Sequence, residues 1–146
     1  MNLDASRLDQ LLGTLHPGKL SPVDADAIVS LAQLAVDADG QEDSDEVQLF
    51  FALGKAVFKR AGLAVTPSPE FIDADDADAR MRELATKLGT PQAREVAYAV
   101  AHVLAIADIA IAPAEDRFLL NLRAALALEG ARADEIATLA GAAITP

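Results

Sequence analysis

An all-α fold, a compact bundle of about seven helices, follows from three features of the 146-residue sequence. Apolar residues recur at three- and four-residue spacing in seven separate segments, and no stretch carries a convincing strand pattern. Hydrophobic residues make up 52% of the chain and aromatics only 4%. Alanine, the best helix former, supplies much of that apolar content, which favours closely packed helices over a sheet of β-branched residues. The pattern also repeats, with residues 9–61 matching 78–130 at a fixed offset of 69.

Each helix has its own start and stop. Leu8, Leu11, Leu12 and Leu15 take the i, i+3, i+4, i+7 positions of an amphipathic helix; Asp4 or Ser6 can cap it and His16-Pro17-Gly18 ends it. Ser21-Pro22 opens the second, with serine at the N-cap and proline at the first helical position. Ile28, Leu31, Ala32, Leu34 and Ala35 form its buried stripe, and Asp39-Gly40 ends it. Ser44 caps the third, whose apolar face is Val47, Phe50, Phe51, Leu53, Gly54, Val57 and Phe58. It closes at Lys59-Arg60-Ala61-Gly62, where basic residues suit the negative end of the helix dipole.

Pro67 and Pro69 forbid a continuous helix over 61–76. That stretch reads as an ordered surface loop pinned by Phe71 and Ile72, with a mobile lid as the other reading. The acidic run Asp73-Ala74-Asp75-Asp76-Ala77-Asp78 suits the positive end of a fourth helix, which carries Met81, Leu84, Ala85 and Leu88 and stops at Gly89. Thr90-Pro91 opens the fifth, packed by Val96, Val100, Val103, Leu104 and Ala107 and ending around Asp108. Ala112-Pro113 opens the sixth, with Phe118, Leu119, Leu122, Ala125 and Leu126 inward and Gly130 at its end. Residues 133–143 form a short seventh helix with Ile136, Leu139 and Ala140 inward.

The offset aligns more than helix ends. Ser21-Pro22 falls on Thr90-Pro91, Ala32 on Ala101, Leu53 on Leu122, Ala56 on Ala125, and Asp9 and Leu15 on Asp78 and Leu84. This predicts a single domain of two three-helix units about a pseudo-twofold axis, with the seventh helix extra. Each unit would cover an apolar face the other exposes, so neither should fold alone.

Charge narrows the partners. The net charge is −11 and the isoelectric point near 4.4, so phosphate backbones and anionic membranes are repelled. No nucleic acid and no membrane insertion are expected. Cations, or a basic protein partner, suit the chain better. It has no cysteine, which removes disulfides and thiolate metal sites. No basic-then-apolar leader opens it and no apolar run is long enough to span a bilayer, so the expected location is cytoplasmic.

The densest chemistry lies in Asp37-Ala38-Asp39-Gly40-Gln41-Glu42-Asp43-Ser44-Asp45-Glu46. Its fainter copy runs from Asp108 to Glu115, and Asp39 and Asp108 stand 69 residues apart, as do Glu46 and Glu115. Each Asp continues an inward-facing column, Ile28-Ala32-Ala35-Asp39 and Ala97-Ala101-Leu104-Asp108. A carboxylate at a helix C-terminus meets the unfavourable end of the dipole and needs compensation. The N-terminus of the next helix, a basic side chain or a bound cation would each supply it. Glu46 and Glu115 sit in first turns, where acids are favoured for stability alone, yet they can converge with the Asp across a short turn. Calcium or magnesium takes such oxygen ligands. The loop is not an EF-hand: with Gly40 at position six, position one would be Ala35, and the second copy has Ile109 in place of the glycine.

Other chemistry is sparse. His102, four residues after Tyr98, reads as a satisfied structural residue, and His16 as a helix-end residue contacting the last carbonyls. Neither has the Glu three residues earlier that a di-iron site requires, and no phosphate-binding glycine loop is present.

Helix, Ala-Asp-Gly, acidic loop, Glu and helix, as in Ala35-Val36-Asp37-Ala38-Asp39-Gly40 through Glu46, resembles the TerB-like domain of tellurite-resistance proteins. A related domain opens the DjlA co-chaperones. The resemblance covers about 8–130 and implies a bundle of about seven helices, a link to tellurite and other stress responses, and no established enzymatic activity. It also implies metal chelation by acidic loop positions, which here are Asp39, Glu46, Asp108 and Glu115. The second loop departs from the pattern at Ile109 and Ala112-Pro113. The expectation is therefore a non-enzymatic protein that binds or senses a divalent cation (Ca, Mg, Mn or Zn). The alternatives are a metal-free acidic interaction module and an enzyme using paired carboxylates.

Overall fold

The computed structural model describes residues 2–3, 5–37, 44–62, 77–107, 113–142 and 144–145. These form seven helices: α1 (Ala5–Leu15), α2 (Pro22–Asp37), α3 (Ser44–Arg60), α4 (Ala77–Lys87), α5 (Pro91–Ala107), α6 (Pro113–Ala125) and α7 (Gly130–Ala142). The all-α bundle expected from the sequence forms. One addition escapes any periodicity test because it is too short: β1 (Asn2–Leu3) pairs antiparallel with β2 (Ile144–Thr145), Asn2 opposite Thr145 and Leu3 opposite Ile144. Among the described residues, no helix is long and apolar enough to cross a membrane.

Helices α2 and α5 are the central pair and pack on each other more extensively than any other two. Small residues permit this. Both helices are rich in buried alanine, Ala25, Ala27 and Ala32 on α2 and Ala93, Ala97, Ala99 and Ala101 on α5, and short side chains let neighbouring helix axes approach closely. The flanking helices are exchanged across the pair. Helix α1 packs on α5 and α4 packs on α2, while α3 and α6 pack mainly on α2 and α5 of their own halves. Helix α7 covers a further face of α5 with Ala133, Ile136 and Ala140. One continuous apolar cluster runs through all seven helices.

The helix starts recur at the offset read from the sequence. Pro22 and Pro91 open α2 and α5, and Ser44 and Pro113 open α3 and α6, each pair 69 residues apart. The caps recur too. The Asp24 amide donates to Ser21 Oγ at 3.1 Å and the Ala93 amide donates to Thr90 Oγ1 at 3.2 Å, each satisfying a donor that the first helical turn leaves open. Buried positions match as well: Ile28 with Ala97, Leu31 with Val100, Leu34 with Val103, Leu53 with Leu122 and Val57 with Leu126.

Three expectations are corrected at the helix ends. Gly130 does not end α6; it is the first residue of α7. The chain turns earlier, at Ala127, which adopts φ 56°. There the Ala127 amide donates to the Ala124 carbonyl at 3.1 Å and the Leu128 amide to the Arg123 carbonyl at 3.1 Å. This hydrogen-bond pair defines a Schellman turn, which normally recruits glycine at the left-handed position. Alanine holds it here at roughly 1 kcal/mol of backbone cost. Leu139 does not face inward; it is 37% exposed. His16 does not bond the last carbonyls of α1 through Nδ1, which is buried without a partner among the described residues; just beyond the helix, Arg60 Nη2 donates to His16 O at 3.0 Å and to Gly18 O at 3.2 Å.

Two other arginines tie elements together over long sequence separations. Arg94 Nε donates to the Leu88 carbonyl at 3.0 Å and its Nη1 to the Leu126 carbonyl at 3.5 Å, joining the ends of α4 and α6 to α5. Arg132 on α7 forks onto Glu95 of α5, with Nη2 at 2.6 Å and Nε at 3.1 Å, and reaches Glu135 at 2.8 Å. The Glu95 bonds, then those to Glu135, hold the Arg132 guanidinium protonated beyond its already high ordinary range. Glu95 is 15% exposed, so its half of the pair is the desolvated one and the fork is what makes that placement tolerable.

Candidate cation site

The candidate loops connect the central helices to the next ones. Helix α2 ends at Asp37 and α3 begins at Ser44; α5 ends at Ala107 and α6 begins at Pro113. Of the four candidate ligands, Asp39 and Asp108 lie outside the described residues, as do the acidic run from Asp73 to Asp76 and the 63–76 connection. Glu46 and Glu115 are each the third residue of their helix, α3 and α6. Their side chains, and the cap role of Ser44, are likewise outside what is described.

What is described is the frame. The columns that lead to the two aspartates are inward-facing as the sequence implies: Ile28 and Ala32 on α2, and Ala97, Ala101 and Leu104 on α5, are at most 2% exposed. The helix C-termini at Asp37 and Ala107 present the negative end of the macrodipole, and the N-termini at Ser44 and Pro113 the positive end. Each connection thus joins an end that attracts cations to one that attracts anions. Among the described residues, no group of three His, Asp or Glu side chains could hold a metal ion.

His102 departs from the sequence reading. It lies on α5 beside Tyr98, ring centroids 6.0 Å apart. Its Nδ1 is buried with no hydrogen-bond partner among the described residues, so it is not a fully satisfied histidine. Burial lowers the imidazole pKa below its ordinary 6.5, because desolvation disfavours the charged form. A histidine that charges less readily in the folded state binds fewer protons there than when unfolded. Its contribution to stability is therefore complete above about pH 6.5 and is lost as pH falls from there toward the depressed folded value. Thermal melts of the wild type and His102→Gln should show the wild type losing stability relative to the variant between pH 7 and pH 5. A wild-type-to-variant difference that stays constant with pH contradicts this.

The arginine ties of Arg60, Arg94 and Arg132 carry no local sequence signal, since each joins elements distant along the chain. At the offset of 69, Gly13 falls on Arg82. Arg82 lines an open trough between α4 and α6 with Met81, Asn121, Ala124 and Ala125.

No family model, curated protein or solved structure matches the chain.

Proposed function

We propose that this is a cytoplasmic, non-enzymatic, TerB-like stress-associated protein that binds or senses a divalent cation through its two acidic inter-helix loops. Asp39 and Glu46 would serve as oxygen ligands in the first loop, and Asp108 and Glu115 in the second. The observation that carries the reading is the recurrence at 69 residues. Helix starts, side-chain caps and buried columns recur together, and in the sequence each column is followed by an aspartate shortly after the described helix, Asp39 after α2 and Asp108 after α5. Structural economy alone does not ask for an acid at that place in both halves, because the dipole there disfavours one. A hard cation with oxygen ligands resolves the conflict.

Calcium, magnesium, manganese or zinc at millimolar concentration should raise the melting temperature. A ligand at about 100 times its dissociation constant adds about 2.7 kcal/mol, which for a chain of this length is roughly 5–10 °C. Asp39→Asn should abolish the shift. No shift with any of the four ions rejects the reading. It would favour the alternative suggested by the net charge of −11, a metal-free acidic surface that docks a basic protein in a salt-sensitive manner.

A further inference from the structure

The trough between α4 and α6 carries an inference that does not depend on the cation reading. It is open to solvent, has a volume of about 340 Å³ and is lined by Met81, Arg82, Asn121, Ala124 and Ala125. The equivalent positions in the first half are Leu12, Gly13, Ala52, Lys55 and Ala56, on α1 and α3.

In the first half, the junction receives a guanidinium that the chain itself engages. Arg60, at the end of α3, bonds the His16 and Gly18 carbonyls through Nη2, and its Nη1 lies 3.8 Å from the Asp9 carboxylate; its buried Nε has no partner among the described residues. Both Nη atoms lie 3.9 Å from where a Cβ on Gly13 would sit, so the glycine leaves room for the head group.

In the second half, the same junction is built the other way round. Arg82 stands in place of Gly13, Glu129 stands in place of Arg60, and α6 already ends at Ala125. A guanidinium again lines the junction, now from the first helix rather than the third. Neither Arg82 nor Asn121 engages another group among the described residues. Here the carbonyls at the helix ends, Leu88 O and Leu126 O, are taken by Arg94 of α5, so Arg82 is left to line the trough.

We propose that the α4–α6 trough binds a small carboxylate with a short aliphatic chain. The Arg82 fork matches the two carboxylate oxygens. The Asn121 amide donates to an oxygen's remaining lone pair. Met81, Ala124 and Ala125 offer apolar surface to the chain. The volume lies at the low end for small-molecule sites, which suits one short chain rather than a nucleotide. Both polar groups can donate and Arg82 is cationic, so the trough selects an anion although the protein as a whole is strongly acidic.

Hexanoate is the probe, titrated into the ¹⁵N-labelled full chain. Saturable shifts are expected at the Asn121 side-chain amide and Arg82 Nε–H, with millimolar affinity. Hexanol and hexylammonium should give neither. Arg82→Gln, at an exposed position that leaves the core intact, should weaken binding by about tenfold or more, the worth of one charge-assisted bond. Linear shifts spread over all exposed arginines, or equal shifts with hexanol, overturn the proposal. Because the readout needs no divalent ion, its failure and that of the cation reading are distinguishable.

Discussion

Leu122→Ala should cost about 2–5 kcal/mol of folding stability, whereas Leu120→Ala, two residues earlier on the same helix, should change it by no more than about 0.5 kcal/mol. Leu122 is 0% exposed and Leu120 is 54% exposed. The expected cost falls toward the upper part of the range for a physical reason. A cavity is least expensive where neighbours can swing into it. Leu122 belongs to a continuous core rich in buried alanine, Ala93, Ala97 and Ala101 of α5 among them, and alanine has no rotamer with which to fill a hole. Leu53→Ala, at the equivalent position of the first half and also 0% exposed, should behave like Leu122→Ala. Urea denaturation reads this directly as a lower midpoint with an unchanged slope. Equal effects at Leu120 and Leu122 would mean that α6 presents a different face to the core.

What the sequence made legible was governed by short-range chemistry. Ser21-Pro22 and Thr90-Pro91 announce helix starts because a hydroxyl and a fixed φ act within one turn, and the caps form at both. The buried columns follow from a period of three to four residues and need no knowledge of the partner helix. The end of α6 escapes sequence reading because Gly130 carries the expected signal while Ala127 performs the task. Backbone bonds to Ala124 and Arg123 hold that turn, and no residue type advertises them. Leu139 fits the helical period yet is partly exposed, because periodicity says which side chains share a face and not how far the neighbouring helix extends over it. Arg60 and Arg132 bond groups 44 and 37 residues away, and local pattern holds nothing of that. For the candidate site, the sequence places Glu46 and Glu115 in the first turns of their helices, and each is the third residue of its helix. Asp39 and Asp108 lie outside the described residues.

The exchange of flanking helices changes what the repeat means for folding. Had each half been a self-contained three-helix unit, α1 would rest on α2 and α4 on α5. Instead α1 rests on α5 and α4 on α2, so the first helix of each half has its main partner in the other. The two-residue ladder between Asn2–Leu3 and Ile144–Thr145 likewise joins the two halves.

Fragments 1–70 and 71–146 should therefore each fail to melt cooperatively alone and should recover a cooperative helical transition when mixed in equal amounts. In the first fragment, α2 would lose α5 and α4, and the apolar row Leu8, Leu11, Leu12 and Leu15 on α1, at most 5% exposed in the whole chain, would lose α5. Three helices left in that state retain mainly the α2–α3 contact, and isolated helices of 11–17 residues are marginal in water without a packed face. The second fragment keeps α5 with α6 and α7 but exposes the alanine-rich face that α2 covers. Circular dichroism during thermal melting, on each fragment and on the mixture, checks this. A cooperative transition in 71–146 alone would show that α7 can substitute for the missing half. The core would then be centred on α5 rather than on the α2–α5 pair.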